Sequence, residues 1–122
     1  MATVELTKDN FAEVVGTDRI VLVDFWAAWC GPCRMFAPIF ERAAQRHDDI
    51  VFGKVDTEAQ PELAATFEIT SIPTLMVVRD KVVLYAQPGA LPEQALEELI
   101  AEAKAADMDE IRRRVSGQKA SA

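Results

Sequence analysis

The sequence predicts an α/β domain in which a central mixed β-sheet is flanked by helices on both faces. Three observations carry that expectation. Two near-continuous apolar runs rich in β-branched residues, Ile20–Trp26 and Val51–Asp56, read as strands buried on both faces. The stretches between strands place apolar residues at helical spacing. The order βαβαβ followed by ββα then implies a mixed sheet covered by helices on both sides.

Taken in order, residues 2–6 suit a short edge strand. Thr7 suits the N-cap of a helix carrying Phe11, Val14 and Val15 on one face, ended by Gly16. After the first long strand, a helix is expected over residues 32–47, with Met35, Phe36, Ile39, Phe40 and Ala43 at helical spacing. Pro38 lies inside it, removes a backbone donor and should kink it. A short helix over 58–67 follows the second long strand. Residues 74–78 and 81–86 read as an antiparallel hairpin turning near Arg79 and Asp80. The last helix of the domain starts at Pro92, a residue suited to a first helical turn, and carries Leu96, Leu99, Ile100 and Ala103. Residues 1–106 therefore form the expected domain, and 107–122 a C-terminal extension. In the extension, Asp107 with Glu110 resembles a capping box, and Met108, Ile111 and Val115 share one side. It reads as a short docked helix or a frayed continuation of the preceding one, with residues 116–122 as a disordered tail.

With 122 residues, half of them hydrophobic, the chain is long enough to bury a core without covalent staples. Thirteen basic and 20 acidic residues give a net charge of −7, which discourages binding to nucleic acid or to anionic membrane. The N-terminus lacks a basic region followed by an apolar run, and no apolar stretch is long enough to span a bilayer. A cytoplasmic, reducing compartment is expected. There a cysteine pair is more often catalytic or metal-binding than structural.

The two cysteines, Cys30 and Cys33, admit three uses: a dithiol redox couple, half of a metal site, or a small staple. Zinc needs four ligands, and the single histidine, His47, falls about four helical turns away, roughly 20 Å. No metal is expected. A staple closing so short a loop contributes about 2 kcal/mol, little for a domain of this size. The redox use needs a strand, a tight turn and a helix start around the pair, and the sequence supplies all three. At a helix start, unpaired N–H groups and the macrodipole favour an anion. Cys30 would sit there, exposed at the tip of the turn, with its thiolate stabilised and Cys33 less accessible one turn in. Cys30 then attacks a substrate disulfide, and Cys33 displaces the substrate from the mixed disulfide.

The run Asp24-Phe25-Trp26-Ala27-Ala28-Trp29-Cys30-Gly31-Pro32-Cys33 resembles the active-site stretch of bacterial thioredoxins. Lys54-Val55-Asp56, Ser71-Ile72-Pro73-Thr74 and Gly89-Ala90-Leu91 recur in that family's order, and the resemblance covers about residues 4–105. It implies the thioredoxin fold and reduction of protein disulfides. It also implies no bound cofactor, because electrons come from NADPH through a flavoprotein, thioredoxin reductase. Gly31 and Pro32 between the cysteines resemble the reducing members. Ser71 stands where the family often has Gly, which bears on substrate fit. Arg79-Asp80-Lys81 replaces a Gly-containing turn at a place distant from the chemistry.

Individual residues carry two readings each. Asp24 interrupts an apolar strand: either a strand-end carboxylate in solvent or, as the resemblance implies, a proton acceptor for Cys33 whose pKa burial would raise. Lys54 either tunes Asp24 or is a solvated lysine. The Ile72–Pro73 bond would ordinarily be trans, but the resemblance implies a cis bond facing the cysteines. The Ile72 backbone would then pair with an extended substrate segment. Trp29 is expected to be exposed and to line the groove, and Trp26 to pack beneath the loop. Gly89 either admits a substrate backbone or is a turn glycine. The expected catalytic set is thus Cys30, Cys33, Asp24 and Lys54, and the substrate-binding set Trp29, Gly31, Pro32, Ile72, Pro73 and Gly89. His47 reads as a surface residue or weak helix cap, and Arg112, Arg113 and Arg114 as a solvated helix face. The chain is expected to be a monomeric disulfide reductase. Disulfide-containing proteins of the peroxidase or ribonucleotide reductase type are its expected substrates. The competing readings are a non-catalytic binding subunit and a reductant dedicated to one partner.

Overall fold

The computed structural model describes residues 2–121, with side chains described through Ser116. Five strands form one sheet: β1 (Val4–Glu5), β2 (Ile20–Trp26), β3 (Val51–Asp56), β4 (Thr74–Arg79) and β5 (Val82–Pro88). Their order is β1-β3-β2-β4-β5; β1, β3 and β2 are parallel, and β4 and β5 antiparallel to their neighbours. Among the described residues five helices accompany them: α1 (Phe11–Val15), α2 (Gly31–Arg46), α3 (Pro61–Thr66), α4 (Glu93–Ala105) and α5 (Met108–Ser121).

Alternation along β2 divides the core. Leu22 joins Phe36, Phe40 and Ala43 of α2, Phe52 of β3, and Leu96 and Ile100 of α4 on one face. Val21, Val23 and Phe25 join Phe11 of α1, Val55 and Met76 on the other, with Leu63 and Phe67 packed against them. Since side chains alternate with a period of two, Asp24 shares the face of Leu22, beneath α2. The expected sheet covered on both sides is what forms.

Several boundaries differ from the sequence expectation. Strand β1 is only two residues long. Thr7 opens a turn rather than capping α1: its Oγ1 accepts from the Asp9 N–H (3.2 Å), and its own N–H donates to Asn10 Oδ1 (2.7 Å), so the helix starts at Phe11. Helix α3 starts three residues late because Asp56 Oδ1 accepts from the Glu58 N–H (3.0 Å), holding a turn up to Pro61. His47 takes the helix-cap position, one of its two expected readings. It ends α2, and its Nε2 bonds Glu97 Oε1 of α4 at 2.7 Å.

The hairpin turns at Asp80 and Lys81, both left-handed, with φ of 52° and 68°. Two-residue turns of this hand match strand twist and favour glycine. Left-handed lysine carries about 1 kcal/mol of strain, roughly half offset by the freedom glycine adds to the unfolded chain. Lys81→Gly should therefore stabilise by about 0.5 kcal/mol, read as a higher urea midpoint at unchanged slope.

Beyond α4 the chain turns into α5. Arg79 donates to the carbonyls of Ala103 (2.8 Å), Lys104 (3.1 Å) and Ala106 (3.3 Å), closing the end of α4. Asp107 Oδ1 accepts from the Glu110 N–H at 3.1 Å, as a capping aspartate should. Met108 is buried, and Arg112 bonds Asp80 (3.0 Å) and Asp109 (2.7 Å) while Arg114 bonds Glu110 (2.7 Å). The arginine run is thus partly a docking device rather than a solvated face alone. The backbone is helical through Ser121, a longer element than the short helix and tail expected; Ala122 lies outside the described residues.

Candidate functional site

The site forms where β2 ends and α2 begins. Strand β2 runs out at Trp26, and the Cys30 N–H donates to Ala27 O (3.2 Å), closing a turn that delivers Cys30 to the head of α2. Cys30 is the N-cap of this 16-residue helix, in extended conformation, with Pro32 in the first turn where its missing donor costs nothing. The Cys33 N–H donates to Cys30 Sγ at 3.2 Å. The two cysteines are joined as a disulfide with their Cα atoms 5.2 Å apart. One of the orphan donors of the helix start is therefore aimed at Cys30 Sγ.

Cys30 is not exposed as the sequence suggested, whereas Cys33 is the less accessible of the two, as expected. Cys30 is 5% accessible and Cys33 2%, packed with Ala27, Trp26 and Ile72. Cys30 keeps the greater access, but the cover comes from a loop remote in sequence. The Ile72–Pro73 bond is cis, and Ile72 O lies 3.6 Å from Cys30 Sγ. The Gly89 N–H donates to Pro73 O at 2.8 Å, and Gly89 has φ 110°, a conformation that favours glycine. A Cβ there would meet nothing within 4 Å, so its backbone angle rather than close contact calls for glycine.

Trp29 is 66% exposed, as expected, and its Nε1 donates to Glu58 Oε1 at 2.7 Å. Between Trp29 and Ile72 opens a cavity of about 190 Å³, lined also by Thr57, Ile69, Thr70 and Ser71. Gly31 and Pro32 sit beside the disulfide at the head of α2. Trp26 is half-buried beneath the loop, and Lys54 Nζ lies 4.8 Å from its ring centroid.

Asp24 is wholly buried, and among the described residues neither carboxylate oxygen has a hydrogen-bond partner. The solvent-exposed reading of Asp24 is thereby overturned. It pairs in register with Lys54 of β3, but no ion pair within 4.0 Å joins them. Burial pushes the Asp24 carboxyl up to about 7, and the Lys54 charge opposes that only in part. Lys54 thus lies against Trp26, in a cavity of about 840 Å³ that also reaches Pro38, Glu41 and Asp56.

Sequence reasoning missed two residues that shape this region: Glu58, which holds Trp29, and Arg34, whose Nη1 donates to Ala28 O at 2.9 Å. Glu58 was within reach of a general rule, since residues just past the C-terminal ends of adjacent parallel strands converge on sites. Arg34 carried no such signal. Among the described residues, no cluster of His, Cys, Asp and Glu is placed to hold a metal, and no helix is long and apolar enough to cross a membrane.

Comparison with known proteins agrees with this geometry. The family model described as Thioredoxin matches residues 2–102. The chain is 60% identical over 121 residues to a protein of Streptomyces coelicolor named "Putative thioredoxin 2", covering 99% of this chain and 90% of that one. That match therefore includes the extension. It is 42% identical over 102 residues to a thioredoxin of Alicyclobacillus acidocaldarius (83% of this chain, 97% of the relative). To that of Bacillus subtilis it is 40% identical over 101 residues (82% and 96%).

Proposed function

Because this chain belongs to the thioredoxin family, and is a thiol–disulfide oxidoreductase that reduces protein disulfides, we propose the following division of labour among its residues. The thiolate of Cys30 attacks one sulfur of a substrate disulfide and releases the other as a thiolate, leaving a mixed disulfide. Cys33 loses its proton to Asp24 and attacks Cys30 Sγ, which frees the second substrate thiol and closes the Cys30–Cys33 bond. Two electrons pass from the dithiol to the substrate. The observation that carries this assignment is the Cys33 N–H aimed at Cys30 Sγ, 3.2 Å away, at the N-cap of a long helix.

Asp24 suits the proton step because burial raises its carboxyl to about 7, where both forms are populated at neutral pH. Lys54 limits that rise by its charge. Trp29, Gly31, Pro32, Ile72, Pro73 and Gly89 form the surface on which an extended substrate segment lies, with Ile72 supplying backbone pairing. The oxidised form is returned to the dithiol by thioredoxin reductase, drawing on NADPH, in the cytoplasm. Substrates of the peroxidase and ribonucleotide reductase type fit this role, as does action as a monomer. Residues 1–106 constitute the catalytic domain.

Insulin reduction by dithiothreitol tests the activity: catalytic amounts of wild type should shorten the lag before precipitation severalfold. No acceleration would leave the binding-subunit reading in its place.

A further inference from the structure

Four large hydrophobic side chains stand exposed among the described residues, and two of them flank the disulfide in the chain. Trp29 directly precedes Cys30, and Met35 follows Cys33 by two residues. The other two, Val4 and Val83, lie on the outermost strands of the sheet. Met35 is the most exposed of the four, at 73%. Its spacing in the sequence suits the apolar face of α2, yet that face turns Phe36, Phe40 and Ala43 into the core and leaves Met35 outside. Residues three and four apart share a side of a helix, which groups Met35 with Gly31 and Pro32. A helical side chain also leans toward the N-terminus and covers the turn before its own. The Met35 thioether is thereby set over the turn that carries the disulfide.

Chemistry singles out the same residue. Met76 and Met108 are only 3% and 6% accessible, and in the oxidised protein both cysteines are spent in their disulfide. Met35 therefore carries the one exposed, oxidisable sulfur among the described residues of that form. A thioether is apolar, flexible and polarisable, and fits irregular partner surfaces. Its sulfoxide is polar and hydrated, and a partner that covers it must strip that water away. The change falls beside Gly31 and Pro32, where a protein substrate has to approach to reach Cys30.

We propose that Met35 is an oxidation site that governs substrate docking: hydrogen peroxide converts its thioether to the sulfoxide, and the polar group weakens contact with protein disulfides. One peroxide oxygen passes to the sulfur, which loses two electrons, and the peroxide leaves as water. Methionine sulfoxide reductases, one for each sulfoxide epimer, return the thioether. The proposal rests on the reading of Gly31 and Pro32 as part of the surface that meets substrate. It leaves the chemistry of the two cysteines unchanged, so a small disulfide that does not reach Met35 is reduced equally well by both forms.

The test treats the oxidised, full-length chain with hydrogen peroxide, removes the peroxide, and then reduces the disulfide with dithiothreitol. Peptide mapping by mass spectrometry should find oxygen on Met35 well before Met76 or Met108. Stopped-flow single turnovers then compare insulin, a protein substrate, with dithiobis(nitrobenzoate), a small disulfide. Oxidation should lower the second-order rate constant for insulin about three- to tenfold, the effect of one polar group desolvated in a contact. The constant for the small disulfide should change by less than about twofold. Met35→Gln, a neutral polar replacement, should show the same selective loss for insulin without peroxide. Met35→Leu, which keeps every other methionine, should give the same two constants before and after peroxide. Both sulfoxide reductases together should restore the insulin rate of the oxidised wild type. Oxygen arriving first at Met76 or Met108 overturns the site. An unmoved insulin rate on Met35 sulfoxide overturns the docking role, and so does an equal loss for both substrates or a peroxide-sensitive Met35→Leu. Untreated wild type that reduces neither substrate would instead remove the disulfide-reductase reading itself.

Discussion

Cys33→Ser is expected to abolish turnover while sparing the first chemical step, so that a covalent adduct accumulates on Cys30. The reason is in the placement of the two sulfurs. Cys30 is the N-cap and receives the Cys33 N–H, a backbone donor that a serine at position 33 still supplies. Attack on a substrate disulfide therefore continues, but the group that would displace the substrate has gone. Multiple-turnover insulin reduction should fall to the rate of dithiothreitol alone. Mass spectrometry should find substrate attached to Cys30 in stoichiometric yield, released by added thiol. Cys30→Ser, by contrast, should give neither turnover nor adduct. An adduct on neither residue in Cys33→Ser would refute the division of roles. A single dominant adduct from a cell extract would favour a dedicated partner, and a broad set a general reductant. Relative to the oxidised wild type, stability should fall by at most about 2 kcal/mol, the worth of closing so short a loop in the chain-entropy account.

Asp24→Asn is expected to raise stability at alkaline pH and slow the second chemical step. In the folded protein the carboxyl is raised to about 7 from its ordinary 3.8, by burial first, with Lys54 opposing. Between those two values the unfolded chain has released the proton and the folded chain keeps it. Stability therefore falls as pH rises through this window, by at most about 1.4 kcal/mol per pH unit. Below pH 4 the group makes no difference. By pH 8 the accumulated cost is on the order of 4 kcal/mol. Asparagine keeps the shape without the charge, so the variant should match wild type near pH 4 and exceed it by a few kcal/mol near pH 8. Urea denaturation at the two values reads this directly. Equal pH dependence in both proteins would mean that Asp24 is not the buried titrating group. Kinetically, formation of the mixed disulfide should be near normal, while its resolution at pH 7 slows roughly ten- to a hundredfold for want of a proton acceptor. Unchanged resolution would refute the proton role and leave the stability argument standing.

The parts of this molecule that were legible in the sequence are those written in local patterns. The long strands β2 and β3, the apolar face of α2 and the cysteine pair at its head all follow from periodicity and spacing. What escaped were features made by side chains meeting across the fold. The Asp56 turn that delays α3, the Trp29–Glu58 bond and the Arg34–Ala28 bond each depend on where loops converge in space. The depth of Cys30 escaped for the same reason, since Ile72 covers it from a loop 42 residues away in the chain. The burial of Asp24 was foreshadowed by its place within an apolar strand, but its lack of a partner was not. Lys54 lies opposite it in register, yet sits against Trp26 instead.

The register between β2 and β4 places Phe25 opposite Thr74 and Ile20 opposite Arg79. The cysteines follow one end of this ladder. Arg79, Asp80 and the root of α5 mark the other, about 17 Å away along the strands. The molecule thus has two poles, one chemical and one architectural. A chain immobilised on a surface, or joined to a second protein, at the root of α5 would be held by its architectural pole, with its disulfide at the opposite one.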